Sequence, residues 1–157
     1  MQPQEELIRE IVRRVVSQVE ADQSKQHDAS GAMLIRTAAV KTEPFEGRQD
    51  VRVQDLTTLE EAPRMGAGLM ELLDSADFEW TLTYDEFDYV MEGTLEIVLD
   101  SGTVLTGHPG DVLYIPKNTH IHFRTPNQAR YVYFVFPPTG RRPESGTYPP
   151  NRVWCKA

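Results

Sequence analysis

Tyr84, Glu86 and Asp88 stand two residues apart in a stretch rich in strand formers. Residues so spaced share one face of an extended strand. If that face is turned inward, a phenol and two carboxylates meet in one cavity. Carboxylates ~6–7 Å apart on one face repel unless a cation or a proton lies between them. Mg2+ is one solution, because it takes carboxylate oxygens and leaves positions for phosphate and water. That arrangement would serve phosphoryl transfer, which relies on positioning and charge neutralisation. A second solution is a protonated acid with a raised pKa. A third is a buried, hydrogen-bonded acid with no catalytic task.

Other chemistries find less support. The chain has no G-x4-G-K-[ST] loop and no Gly-rich nucleotide fingerprint, and Gly66-Ala67-Gly68 sits in strand context. No Ser-His-Asp grouping is visible. The single cysteine, Cys155, has no evident base and reads as a structural or incidental thiol. It cannot form an internal disulfide, which fits a reducing, cytoplasmic setting.

The elements that would position the acids are strands. Phe78–Tyr84 alternates in character. Glu86–Met91 and Thr94–Leu99 flank Glu92-Gly93, a hairpin signal. Met33–Ile35, Val51–Val53, Gly66–Leu72, Thr103–Thr106, Asp111–Ile115, His120–Arg124 and Ala129–Phe136 complete the series. Turn residues every eight to twelve positions indicate an all-β sandwich or barrel. The tail after Pro137, rich in Pro, Gly and Arg, is expected to wrap the barrel.

The first twenty residues differ. Leu7, Ile8, Ile11, Val12, Val15, Val16 and Val19 form one stripe of a 3.6-residue helix, with Glu and Arg elsewhere. A helix so short needs a surface for its stripe. Residues 21–31 hold no large apolar side chain and read as a polar linker. A sticky helix on a tether resembles the encapsulation peptides that dock cargo onto bacterial microcompartment shells. Packing on its own domain or on a second copy is the alternative. A membrane-surface helix would carry more Lys and Arg.

Length and charge bound the rest. The 157 residues suit one domain with an appendage. No run approaches the ~20 apolar residues of a membrane helix, and the N-terminus lacks an apolar secretory core. The net charge of −8 argues against a general nucleic-acid binder. That charge is uneven. Residues 68–100 hold ten acids and no Lys or Arg, whereas residues 101–157 hold seven basic and two acidic residues. Facing strands could pair the two blocks, or some acids could line a pocket.

The order of turns resembles a cupin, the double-stranded β-helix barrel of the jelly-roll type. Glu86 and Gly93 match the second half of its first motif, and Gly110 with Pro116 the first half of its second. The first-motif histidines would fall near Trp80 and Leu82, or Glu79 and Thr81, and the second-motif histidine at Ile121. Asn118 stands at the motif glycine and Thr125 at its asparagine. Three of the four usual metal ligands are therefore missing, and a transition metal is not expected. A one-residue shift could still turn His120 or His122 inward, with Glu86 as the partner ligand.

Phe78–Leu95 and Gly110–Lys117 resemble the signature of the EutQ proteins of ethanolamine utilisation, and the likeness covers residues 32–137. It implies a cytoplasmic protein of a bacterial microcompartment, docked to shell or cargo proteins through residues 1–20. It implies acetate kinase activity, interconverting acetyl phosphate and ADP with acetate and ATP, and a homodimer. The alternative is a non-enzymatic cupin that binds a small ligand or assists assembly. The expected catalytic set is Tyr84, Glu86, Asp88 and Lys117, with Mg2+ at Glu86 and Asp88. Lys117, after the motif proline, is the expected cation at the barrel mouth. Trp80, Tyr114 and His122 are the expected substrate contacts. The expected organisation is a helix over 1–20, a linker over 21–31, a barrel over 32–137 and a tail over 138–157.

Overall fold

Alternation of apolar and polar residues favours strands, and twelve of the fourteen elements among the described residues are strands. The structure, a computed structural model, describes residues 3–138. Within the N-terminal helix it describes the side chains of residues 5–16 and Ser24. The chain falls into two units that divide between Lys41 and Thr42. The expected packing of the tail, and Cys155 with it, lie outside the described residues.

The first unit begins with helix α1, Pro3–Ser24. Leu7, Ile8, Ile11, Val12, Val15 and Val16 are each 48–59% exposed. The side chain of Val19 is outside the described set. The helix outruns its expected end, and the expected linker is ordered. Strand β1, Lys25–His27, pairs antiparallel with β2, Met33–Ile35. The turn between them is held by the Asp28 carboxylate, which accepts the Ser30 N–H at 2.9 Å, and by Gly31 at φ 89°. Backbone pairing needs no apolar side chains, so composition alone misread this segment. A 3-10 turn, Thr37–Ala39, follows.

The second unit holds two sheets. Its strands are β3 (Glu43–Phe45), β4 (Arg48–Asp55), β5 (Gly66–Leu72), β6 (Asp77–Thr81), β7 (Asp85–Gly93), β8 (Leu95–Leu99), β9 (Val104–Gly107), β10 (Val112–Ile115), β11 (His120–Arg124) and β12 (Ala129–Phe136). One sheet has the order β10-β7-β12-β5-β4-β3 and the other β6-β11-β8-β9. All pairings are antiparallel. One apolar core draws on both, including Val53, Met70, Val90, Ile97, Phe123 and Tyr131. This is the all-β jelly-roll arrangement expected of the cupin type. Pro44 lies on edge strand β3, where a missing N–H is tolerated.

Glu92-Gly93 does not close a hairpin. β7 and β8 belong to different sheets, and the chain turns a corner between them. Gly93 takes φ 73°, and a Cβ there would run into the Gln128 carbonyl. The glycine is required by a close backbone approach as well as by a turn. Asn118, at the position of the cupin-motif glycine, takes φ 68°, a region Asn tolerates better than most residues.

The acidic and basic blocks do meet across strands. Arg124 pairs with Glu96 at 2.6 Å, and Arg130 with Glu71 at 3.2 Å and Glu92 at 3.4 Å.

Candidate functional site

Strand β7 carries the centre of the site. Its inward residues Glu86, Asp88 and Val90 are buried, while Phe87 and Tyr89 between them are exposed. Tyr84, in the turn before β7, is buried too. The turn is fixed by the loop after β10: Leu82 N–H donates to the Thr119 carbonyl at 3.1 Å, and Asn118 N–H to the Leu82 carbonyl at 2.8 Å.

The neighbours of the two acids are apolar or aromatic. Ile115 on β10 and Val135 on β12 flank Glu86, and Leu113 and Tyr133 flank Asp88. The cavity beside Glu86 is walled by Phe45, Met70, Phe78, Trp80 and Phe123, with Tyr84 and Tyr133 as the other polar members. Its volume, about 10 Å3, is close to what one water molecule needs. None of these lining side chains is Lys or Arg. Trp80 Nε1–H donates to the Tyr84 hydroxyl at 3.3 Å, and the Tyr133 hydroxyl to Asp55 Oδ1 at 3.1 Å. The rings of Phe45, Phe78 and Trp80 contact one another with centroids 5.8–6.3 Å apart.

The electrostatics follow from burial. Both Asp88 carboxylate oxygens are fully buried and receive no fixed N–H or O–H donor. The donor in reach is the Glu86 carboxyl itself when it is protonated. Burial, then the neighbouring Asp88 charge, then this hydrogen bond hold the Glu86 pKa well above its usual value. Burial pushes Asp88 up to about 7, against the lowering effect of the hydrogen bond from Glu86. The pair is therefore an acid and a carboxylate that share a proton.

The structure brings four of the expected residues together: Trp80, Tyr84, Glu86 and Asp88. Three others lie elsewhere. Tyr114 is 50% exposed on the outer face, donating to Asp85 Oδ1 at 3.2 Å and tilted against Phe87. The outer Asp85 also raises its pKa, after desolvation. Parity explains the placement, since Leu113 and Ile115 take the inward face of β10. Lys117 is exposed, and its backbone N–H donates to Asp85 Oδ1 at 2.8 Å. His122 pairs with Asp77 at 2.7 Å on the outer face of the second sheet. His120 lies beside it, between Asp100 at 2.6 Å and Glu79 at 2.7 Å, which raise its pKa. Ile121 points inward and is fully buried, so the register shift that would turn a histidine inward does not occur. Among the described residues no group of three or more His, Cys, Asp or Glu is placed to hold a metal ion.

Mg2+ fits the acid pair poorly. The ion demands near-octahedral coordination by about six oxygens and gives up its waters reluctantly. The cavity offers the Glu86 carboxyl, which already shares a proton with Asp88, the hydroxyls of Tyr84 and Tyr133, and room for about one water.

Reading the sequence alone overlooked Phe45, Met70, Phe78, Phe123 and Tyr133. Phe78 shares the inward parity of Trp80 and was legible in principle. The others come from strands distant in sequence, which only the sheet order brings together.

A family model described as "Ethanolamine utilisation protein EutQ" matches residues 3–141. The chain belongs to the EutQ family. A EutQ relative from Clostridioides difficile (strain 630), named "Acetate kinase EutQ", is 38% identical over 142 residues, 85% of this chain and 88% of that protein. The like-named EutQ protein of Salmonella typhimurium (strain LT2) is 39% identical over 109 residues, and there the chain spans only 47% of its relative. The solved structure of the Clostridium difficile EutQ protein matches with TM-score 0.67 and 39% identity, covering 72% of this chain and 93% of that one. The cupin domain of Schizosaccharomyces pombe Cnp3 matches with TM-score 0.56 at 15% identity, over 66% of this chain and 73% of that one. That likeness speaks to the fold alone. Among the described residues no helix is long and apolar enough to cross a membrane.

Proposed function

We infer that this EutQ protein interconverts acetyl phosphate and ADP with acetate and ATP, and that the acyl group reacts at the mouth of the cavity beside Glu86, whose proton is shared with Asp88. The observation that carries the reading is the match, over most of both chains, to a relative named an acetate kinase. The cavity has room for about one water, so it receives no more of the substrate than an acyl or acetate oxygen. A protonated Glu86 donates a hydrogen bond to that oxygen, and the methyl group stays outside the cavity. The phosphates remain outside, because the lining has no cation to receive them. The transferred phosphoryl passes from the acetyl oxygen to the terminal phosphate oxygen of ADP, and acetate leaves with the bonding electrons.

The test is ATP formation from acetyl phosphate and ADP by the full chain, with Mg2+ and without. Glu86→Gln and Asp88→Asn should each lower turnover roughly 100-fold or more with folding retained. Unchanged turnover in both variants would remove the acids from the reaction.

A second reading is a non-enzymatic cupin that binds a small ligand. The absence of Lys and Arg from the lining favours it. Absence of ATP formation by the wild-type protein under all conditions would select it.

Two further parts of the proposal concern partners. The exposed stripe of α1 is suited to dock onto a shell or cargo protein of a bacterial microcompartment. The second unit is proposed to pair with a second copy.

A further inference from the structure

We propose that His120 is a proton-operated clamp on strand β6, closing the cavity wall formed by Phe78 and Trp80 while its ring carries two N–H groups and releasing that wall when the ring is neutral. The inference rests on the reading of this cavity as the ligand site, and adds what controls entry to it.

The first observation is the pairing of the ring. Nδ1 lies 2.6 Å from Asp100 and Nε2 lies 2.7 Å from Glu79. Ionised carboxylates only accept, so both contacts are hydrogen bonds only when both ring nitrogens carry hydrogen. A neutral imidazole has one N–H. It keeps one carboxylate and turns a lone pair toward the other. The bonds to Asp100 and then to Glu79 favour the charged ring, so its proton leaves above the ordinary value of 6.5.

The second is what the ring spans. His120 opens β11, the strand between β6 and β8. Asp100 follows the end of β8, and Glu79 lies on β6. The charged ring thus ties together the strands on either side of it. The third is the position of β6. Among the described strands it is an edge, paired only with β11. Phe78 and Trp80 turn toward the cavity, with Glu79 between them on the outer face. Letting go of Glu79 loosens the stretch that carries Trp80, whose indole N–H donates to the Tyr84 hydroxyl. The cavity has room for about one water, so a wall must give before anything larger enters.

The neighbouring charges do not share this switch. His122 bonds Asp77 of β6 through Nδ1 alone, at 2.7 Å, which a neutral ring does as well as a charged one. Arg48 reaches the Asp77 carbonyl from β4 at 3.0 Å, and Arg124 on β11 pairs with Glu96 of β8. These contacts keep the Asp77 end fastened, and the Leu82 N–H on the Thr119 carbonyl keeps the following turn. The motion is therefore confined to residues 79–81. Glu79 and Asp100 are largely exposed, so solvent screens both contacts and the change is a few-fold one.

The test is amide hydrogen exchange of the full chain at pH 6 and pH 9, corrected for the intrinsic rate at each pH, with acrylamide quenching of Trp80 in a Trp154→Phe background. Protection of the amides of residues 79–81 should fall roughly threefold across this range, beyond any loss shared with β12, and Trp80 quenching should rise. Glu79→Gln tests the geometry. Its amide N–H can donate to the lone pair of a neutral ring while Nδ1–H bonds Asp100, so this variant should stay closed at pH 9. His120→Ala should be open at both pH values. Wild-type protection that follows β12 at both pH values would overturn the proposal, as would Glu79→Gln opening as the wild type does. So would a His120 ring that, followed by 15N NMR, loses its second proton at or below pH 6.5. None of these readouts uses ATP formation, so a failed kinase assay and a failed clamp are told apart.

Discussion

At the scale of the residue, the Glu86–Asp88 pair links chemistry to stability through its protons. A carboxyl whose pKa is raised by folding holds a proton that the unfolded chain releases. Its contribution is neutral below the unfolded value, and stability is lost as pH rises toward the folded value. For Asp88 that window runs from its ordinary 3.8 to about 7. The loss across it is on the order of 4 kcal/mol, set by about three pK units. Glu86, also raised, extends the decline to higher pH. His120, raised by Asp100 and Glu79, works in the same direction, because its stabilising charge is lost as pH rises through its folded pKa. Asp88→Asn separates the contributions. Chemical denaturation at pH 5, 6, 7 and 8 should show wild-type stability falling, and the variant falling less. A wild-type profile that is flat over this range would refute the shared-proton pair.

At the scale of the element, the glycines that let strands and corners approach each other give a graded test. Gly102, at φ 83°, has nothing within 4 Å of a built Cβ, so Gly102→Ala adds only backbone strain, about 1 kcal/mol. Gly68 faces the Tyr133 ring across β5 and β12, and a Cβ would overlap that ring. Gly68→Ala should cost about 1–3 kcal/mol through displacement of a packed side chain. It should also disturb the cavity that Tyr133 lines. Gly93 combines positive φ with a backbone obstruction at Gln128, so Gly93→Ala should be the most damaging. Urea midpoints that rank the three otherwise would show the corner to be softer than drawn. Legibility in the sequence follows the same division. Strands such as β7 and β11 were readable, because alternation fixes both their existence and their inward faces. Glu86 and Asp88 were found through that parity. The same parity, applied to Leu113 and Ile115, would have placed Tyr114 outside. What alternation does not encode is which sheet receives a strand, so Glu92-Gly93 read as a hairpin when it is a corner. Nor does it encode backbone pairing without apolar side chains, which hid β1 inside a supposed linker. The walls given by Phe45, Met70 and Phe123 depend on sheet order, a property of the whole fold.

At the scale of the whole molecule, two exposed apolar surfaces stand on two different units, and they call for different partners. On the second unit, Phe87 and Tyr89 of β7, Val112 and Tyr114 of β10, and Phe134 and Phe136 of β12 are all 39–61% exposed. The register places Phe87 opposite both Tyr114 and Phe134, so the six form one patch on three adjacent strands. Its area is on the order of 500 Å2, at the upper end of what a monomer exposes. With a polar rim it approaches the ~800 Å2 per partner of a stable pair. A second copy can cover it by two-fold symmetry, placing the same patch on both sides. On the first unit, the stripe Leu7 to Val16 is narrow and helical, suited to a groove on another protein. If these assignments are right, the two surfaces separate experimentally. Phe87→Lys should convert a dimer to monomer in sedimentation while leaving the pH dependence of stability set by Glu86 and Asp88 intact, since Phe87 points away from those buried acids. A variant beginning at Thr42 should remain a dimer with an unchanged unfolding midpoint, because the barrel core lies wholly within the second unit. It should lose association with microcompartments in cells. A dimer that dissociates on removal of residues 1–41 would assign self-association to the helix and leave the aromatic patch without its proposed partner.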